Sequence, residues 1–256
     1  MSQKAKEWWE ATAEYFQDEA DVPMAIHYGT GSPNESVLNL INQDLKGKKV
    51  LELGCGAAQG GIAFSKKGAK VTGIDISQEQ LKFAEKLCKE HDVEIELHQG
   101  DITDLEVIED ESYDFIYSAY AFQWIENLQK VFSEASRVLK SGGTFLFSLP
   151  HPMFHYLDNQ DLEESLELED HYLDSGITEV EKLEEDGEEI EMIIYRRTFQ
   201  ELINGLIGEG FMIKQVIEPD PRKIEDPKQE GGKWVNQEIM SKTPATIVFK
   251  AEKLED

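Results

Sequence analysis

Cysteine is almost missing from this 256-residue chain, arginine is scarce, and acids outnumber bases by 52 to 25. The two cysteines, Cys55 and Cys88, are too few to staple a fold of this size, so reduced thiols and the cytoplasm are expected. No apolar run approaches the ~18 residues of a membrane-spanning helix. The opening Met1-Ser2-Gln3-Lys4-Ala5-Lys6-Glu7 also lacks the apolar heart of a signal peptide. Only Arg137, Arg196, Arg197 and Arg222 supply guanidinium groups, and the lysines are dispersed among acids. A net charge of −27 with no basic patch repels phosphate backbones, which excludes nucleic acid as an expected partner and gives no reason to expect a membrane surface. No metal-ligating cluster is expected either.

What is present begins with Val50-Leu51-Glu52-Leu53-Gly54-Cys55-Gly56, an apolar strand running into a glycine turn. A backbone that bends sharply and approaches a ligand needs residues without Cβ, which Gly54 and Gly56 supply. The helix that follows would aim free N–H groups at that ligand. Ile74-Asp75, about twenty residues on, ends the next strand with a carboxylate able to accept both hydroxyls of a ribose. Gly100-Asp101-Ile102 ends a third, where Asp101 could receive an adenine amino group or else cap a turn with Thr103 and Asp104. Ile76 and Ile102 would flank the base. The dinucleotide fingerprint fails, because Gln59 stands at its third glycine and Gly60 comes one residue late.

These residues resemble the first motif of the class I S-adenosylmethionine-dependent methyltransferases, acidic-x-G-x-G-x-G, with Ala58 in place of the last glycine. The resemblance runs from Lys49 to Pro150. It includes Tyr113-Asp114-Phe115-Ile116-Tyr117-Ser118 as a fourth strand and Arg137-Val138-Leu139-Lys140-Ser141-Gly142-Gly143, a helix closed by glycines before a fifth strand. It is nearest to the small-molecule branch that contains the quinone-biosynthetic methyltransferases. The resemblance implies a doubly wound, seven-stranded, mostly parallel α/β sheet ending in an antiparallel hairpin. It also implies S-adenosyl-L-methionine as methyl donor, S-adenosyl-L-homocysteine as product and a small-molecule acceptor. The cofactor set it implies is Glu52, Gly54, Cys55, Gly56, Asp75, Ile76, Asp101, Ile102 and Ser118. Tyr28, in the expected lid, could close over the sulfonium with its aromatic face, the alternative being a plain core segment. A tRNA or protein acceptor, or a non-catalytic module that binds the same ligand, stand as alternatives.

The chain reads as one domain in four parts. Residues 1–46 form a helical lid, with an amphipathic helix over Lys4 to Gln17 and a second ending near Leu45. Residues 47–150 alternate strands with helices such as Ser77 to His91, where Ser77 is the expected cap, and Asn127 to Leu139. Residues 151–197 read as an inserted cap, with sixteen acids against Lys182 between Asp158 and Glu191 and a hairpin about Glu185-Asp186-Gly187. Residues 198–256 return to the sheet through a helix over Phe199 to Gly208 and strands from Phe211 to Glu218 and Ala245 to Ala251.

Methyl transfer from a sulfonium asks mainly for positioning and exclusion of water, so catalytic residues are harder to read than cofactor residues. His151 follows the fifth strand as a possible base, with His155 behind it; the alternative is that His151 only shapes its proline-flanked loop. Tyr120 and Gln123 follow the fourth strand, placed to orient an acceptor. Trp8, Trp9, Phe122 and Trp124 read as packing residues. Arg196 and Arg197 read as a surface pair beside the acidic cap, or as a carboxylate clamp.

Overall fold

Strand alternation divides the core between two faces of one sheet. In β1 (Lys49–Leu53), Leu51 and Leu53 join a cluster with Ile116, Phe145, Phe147 and Phe249, whereas Val50 joins Val71, Phe115, Tyr117, Leu146 and Val248 on the opposite face. The computed structural model that carries this core describes residues 3–20, 22–154, 171–173, 177–185, 188–224 and 237–255. His155 and most of the acidic run lie outside the described residues.

The seven-stranded sheet has the order β3-β2-β1-β4-β5-β9-β8. Its parallel part comprises β2 (Lys70–Asp75), β3 (Ile95–Gln99), β4 (Tyr113–Ala119) and β5 (Leu139–Pro150) around β1. The antiparallel β9 (Thr246–Lys253) then slots between β5 and the edge strand β8 (Phe211–Ile217). Helices cover both faces. Phe64 of α3 (Gln59–Lys66) packs on one, and α5 (Leu128–Val138) with α6 (Phe199–Gly208) covers the other. The expected doubly wound sheet with its terminal antiparallel pair is therefore what the chain builds.

Local chemistry places most boundaries. Ser77 accepts the Gln80 N–H at 3.1 Å and starts α4 (Gln78–Glu90). Thr198 and Glu201 form a reciprocal capping box at the start of α6. Three expectations need correction. The second helix stops at Leu38, so α2 is only Glu35–Leu38. The Glu35 carboxylate takes the N–H groups of Leu40 and Ile41 at 3.0 and 2.7 Å, and Asn39 turns left-handed, which pulls the chain out of the helix. Second, α5 is not closed by Gly142-Gly143. It ends at Val138, and Leu139 already pairs with Tyr113 before a register shift, leaving the glycines in an irregular part of β5. Third, the hairpin strands, which the sequence suggests over Thr178 to Lys182 and Ile190 to Arg196, run closer to the turn, with β6 (Ile177–Glu185) and β7 (Glu188–Tyr195) paired up to Glu185 and Glu188.

The first helix, α1 (Gln3–Glu19), does not stand apart from this core. Downstream of it, residues 26–35 are stitched to the sheet by Tyr117, whose hydroxyl donates to the His27 carbonyl. Thr246 adds a second stitch, donating to the Thr30 carbonyl at 2.5 Å. The last helix, α7 (Gln237–Met240), packs Ile239 and Met240 against Phe154 and Ala245. Among the described residues, no helix is long and apolar enough to cross a membrane. Cys55 and Cys88 are buried and unpaired with one another.

Candidate active site

The carboxyl ends of β1, β2 and β4 lie side by side, and the glycine turn begins where β1 stops. Gly54 and Cys55 both give their N–H to the Ile74 carbonyl, at 2.9 and 3.0 Å, so the turn is folded back onto β2. Gly54, Gly56 and Ala58 all have positive φ, of 68°, 51° and 58°. The left-handed conformation costs an L-residue about 1–2 kcal/mol. Ala58 bears that cost while its methyl is buried with Cys55, Leu81 and Ala84, which returns about 0.8 kcal/mol. Alanine therefore substitutes for the third glycine with little net loss.

Asp75 stands at the end of β2, only 8% exposed, and organises the turn. One carboxylate oxygen accepts the Gly56 N–H at 2.8 Å and the other accepts the Ser77 N–H at 2.9 Å. Burial pushes this carboxyl above its ordinary range, and those two N–H groups pull it back. Each oxygen keeps a second lone-pair direction, which is what a ribose diol needs. Two side-chain-free turn residues beside a carboxylate with spare acceptor capacity fit an adenosyl group. Ile76, next in the chain, is half-buried.

Other residues expected at the cofactor are placed differently. The Glu52 carboxyl lies beneath the turn, 4% exposed, and accepts the Gly61 N–H at 2.8 Å. It thereby satisfies one of the orphan donors at the start of α3. Gly60 and Gly61 make room for it, since a Cβ on either would stand 2.6 Å from a Glu52 oxygen. The Cys55 side chain turns inward against Gly73. The Ser118 hydroxyl is spent on the Leu53 carbonyl at 2.8 Å, tying β4 to β1. Ile102 is a core residue packed with Ile74 and Leu105. Asp101 accepts the Thr103 N–H and hydroxyl, both at 2.8 Å, which is the turn-capping arrangement. Tyr28 is not a lid residue: it is fully buried on the α3 side of the sheet and donates to Glu35 at 2.5 Å.

The acceptor-side residues follow β4 and β5. Tyr120 adopts φ 54°, unusual for a bulky residue, and its hydroxyl is held 2.8 Å from Thr246 Oγ1 and 3.2 Å from the Ala245 carbonyl. Gln123, 3% exposed, donates its amide to the Tyr120 carbonyl at 2.8 Å, while its buried Oε1 has no hydrogen-bond partner among the described residues. His151 is engaged at both nitrogens. Nδ1 accepts the Met153 N–H at 3.2 Å, which assigns the proton to Nε2, 2.9 Å from a Glu218 oxygen. That is the loop-shaping arrangement rather than a free base. Arg197 is half-buried rather than a free surface charge: its guanidinium turns to the carbonyls of Ile125 and Glu126 and is pushed below its ordinary range by burial.

Sequence reasoning missed two residues of α1. Glu10 accepts the N–H groups of Gln78 and Glu79 at 2.9 and 3.0 Å, capping α4 from outside. Gln17 accepts from Gln59 and donates to Gln80, each at 2.8 Å, bridging the first residues of α3 and α4. The available signal was their seven-residue spacing, which puts two polar side chains on one face of a helix read only for its aromatics. Trp9 of the same helix lies edge-on to Trp124, centroids 5.7 Å apart, just beyond β4.

A sheet of this order, with a glycine turn after β1 and an acid at the end of β2, defines a Rossmann-like α/β protein built to bind a nucleoside at the carboxyl ends of its strands. A methyltransferase domain model matches residues 51–147. An uncharacterized methyltransferase of Bacillus subtilis is 30% identical over 175 residues, covering 66% of this chain and 68% of its own. A demethylmenaquinone methyltransferase of Tropheryma whipplei is 33% identical over 108 residues, 41% of this chain and 44% of that one. The crystal structure of a putative S-adenosylmethionine-dependent methyltransferase from Listeria monocytogenes superposes with a TM-score of 0.66 at 27% identity, covering 86% of this chain and 98% of the other. The chain belongs to the class I S-adenosylmethionine-dependent methyltransferases, and S-adenosylmethionine is its methyl donor.

Proposed function

We propose that this methyltransferase acts in the cytoplasm on a small-molecule acceptor held between α1, the turn after β4 and β7. The observation that carries the reading is the roof formed by α1. Over one helix, Gln17 reaches the starts of α3 and α4, Trp9 reaches Trp124, and Lys4 pairs with Glu191 of β7 at 2.5 Å. An acceptor covered by one helix in this way is one that can be enclosed, which suits a small ligand better than a folded macromolecule. The net charge of −27 disfavours a nucleic-acid acceptor, and the quinone-pathway relative acts on a small molecule by its name. The two buried cysteines agree with a reducing compartment.

In this reading Gly54 and Gly56 let the backbone approach the cofactor, Asp75 takes the ribose hydroxyls, and Ile76 and Asp101 border the adenine. Bound S-adenosylmethionine supplies a methyl group already activated on a sulfonium. The chain's contribution is to orient that methyl group and the acceptor and to exclude water. Among Tyr120, Gln123 and His151, Gln123 Oε1 is the group without a hydrogen-bond partner among the described residues, and it is assigned to the acceptor. Tyr120 and His151 hold the neighbouring loops.

Release of S-adenosylhomocysteine across a panel of metabolites, with bulk tRNA and denatured protein in parallel, tests the acceptor class. Methylation of the macromolecules without any small-molecule turnover would reject it. Asp75→Ala is expected to weaken S-adenosylhomocysteine binding by about 2 kcal/mol, roughly thirtyfold, as charge-assisted bonds are lost. Calorimetry giving wild-type affinity would remove Asp75 from the ribose.

A further inference from the structure

Besides Lys4–Glu191 and Trp9–Trp124, helix α1 is fastened at two places seven residues apart to the residues that frame the cofactor site, at the first through backbone N–H groups and at the second through side-chain amides. At the first, the Glu10 carboxylate holds the N–H groups of Gln78 and Glu79, and its Oε2 lies 3.3 Å from the Ser77 hydroxyl. Ser77 also donates to the Trp9 carbonyl at 3.1 Å, and its own N–H is one of the two that hold Asp75. Glu10 therefore acts on Asp75 through one intervening residue. At the second, the Gln59–Gln17–Gln80 amide chain joins α3, whose first residue closes the glycine turn, to α4. Gln80 Oε1 is also the nearest group to the position a Gly56 Cβ would take, at 3.7 Å.

The two fastenings differ from the packing around them. Residues 26–35, which follow α1, are stitched to the sheet by Tyr117, Tyr120 and Thr246 and form part of its core with Ile26 and Tyr28. By contrast, α1 fully buries only Ala5, Thr12 and Ala13, its aromatics Trp8, Trp9 and Phe16 stay half-buried, and Glu10 and Gln17 hold it to α3 and α4 by polar bonds. Polar bonds exchange with water at modest net cost, whereas an apolar core does not open locally. Segment 26–35 is thus fixed, and α1 is the part able to swing.

We propose that α1 is a latched gate on the adenosyl site, with Glu10 and Gln17 as positioning residues whose release sets the rate at which S-adenosylmethionine enters and S-adenosylhomocysteine leaves. The inference rests on the family's cofactor and needs no knowledge of the acceptor. Glu10 and Gln17 touch the frame of the site from outside, so their loss accelerates exchange in both directions and changes equilibrium affinity less than it changes either rate.

Stopped-flow tryptophan fluorescence on the full chain, with Trp9 beside Trp124 as reporter, measures S-adenosylhomocysteine release. Glu10→Ala and Gln17→Ala are each expected to speed release about tenfold, the factor that loss of one or two such bonds corresponds to. Glu10→Gln, which keeps one acceptor oxygen, is expected to lie between wild type and Glu10→Ala. Release within twofold of wild type in folded variants would overturn the gate and leave Glu10 a simple helix cap. Trypsin cleavage after Lys6 of the unaltered protein gives a second measure that no folding defect can obscure. Saturating S-adenosylhomocysteine is expected to slow it several-fold, and an unchanged rate would also overturn the proposal. Calorimetry separates the two levels: no binding at all contradicts the cofactor, whereas binding with insensitive exchange contradicts the gate alone.

Discussion

Alanine at position 54 is expected to destabilise the protein by about 3 kcal/mol and to abolish tight cofactor binding. Two terms add. The φ of 68° places a Cβ in the left-handed region, at about 1–2 kcal/mol. That Cβ would also stand 2.5 Å from the Cβ of Ala121, so the turn after β4 must give way, at about 1–3 kcal/mol for overpacking. In thermal unfolding the sum corresponds to a fall of roughly 10 °C for a chain of this size. The two terms separate in a double variant. Ala121→Gly removes the opposing methyl and is expected to restore about half of the lost stability, leaving the backbone term. Equal stability of Gly54→Ala with and without Ala121→Gly would show that the two turns do not meet.

Stability is expected to fall as pH rises from about 5 to 8, and Glu52→Gln to flatten that fall. Burial lifts the Glu52 carboxyl to about 8; the Gly61 N–H opposes this and the neighbouring Asp75 adds to it. In the unfolded chain a glutamate titrates near ~4.3. Between those values the folded protein holds one more proton than the unfolded one, so unfolding gains about 1.4 kcal/mol of advantage per pH unit. The contribution is fully present below the unfolded value and is lost as pH passes through the folded one, a few kcal/mol across the window. Glutamine keeps the shape and cannot ionise. Denaturant unfolding of both proteins at pH 5.5, 6.5 and 7.5 measures the difference, and parallel profiles would mean that Glu52 is already ionised in the fold. Asp75 is also raised by burial and contributes in the same direction, so the comparison between the two proteins measures Glu52 together with its coupling to Asp75.

Much of the fold was legible because its signals are local. Alternating apolar residues in β1, β2, β4 and β5 require two covered faces, and the cap Ser77 marks a helix start that the structure reproduces. Where reading failed, a side chain bonded to backbone a few residues away against the local trend. Glu35 ended α2 early in this way, and Leu139 entered the sheet before the glycines expected to stop α5.

The site divides along the same line. The turn at Gly54 and Gly56 and the strand-end position of Asp75 were legible because a turn without side chains and a strand-end carboxylate follow from the backbone itself; their part in holding the cofactor is the proposal made above. Glu52, Ser118 and Tyr28 carry equally suggestive identities and sit at suggestive positions, yet each is consumed inside the frame, by Gly61, Leu53 and Glu35 respectively. Sequence by itself determined the sheet, the glycine turn and the family, since each depends on residue type at fixed local spacing. Only the tertiary structure decided which polar groups are spent on the scaffold. It alone brought Glu10 and Gln17 onto α4 and α3, because those bonds join residues 63 to 69 positions apart, or 42 for Gln59, and no local pattern specifies such a partner.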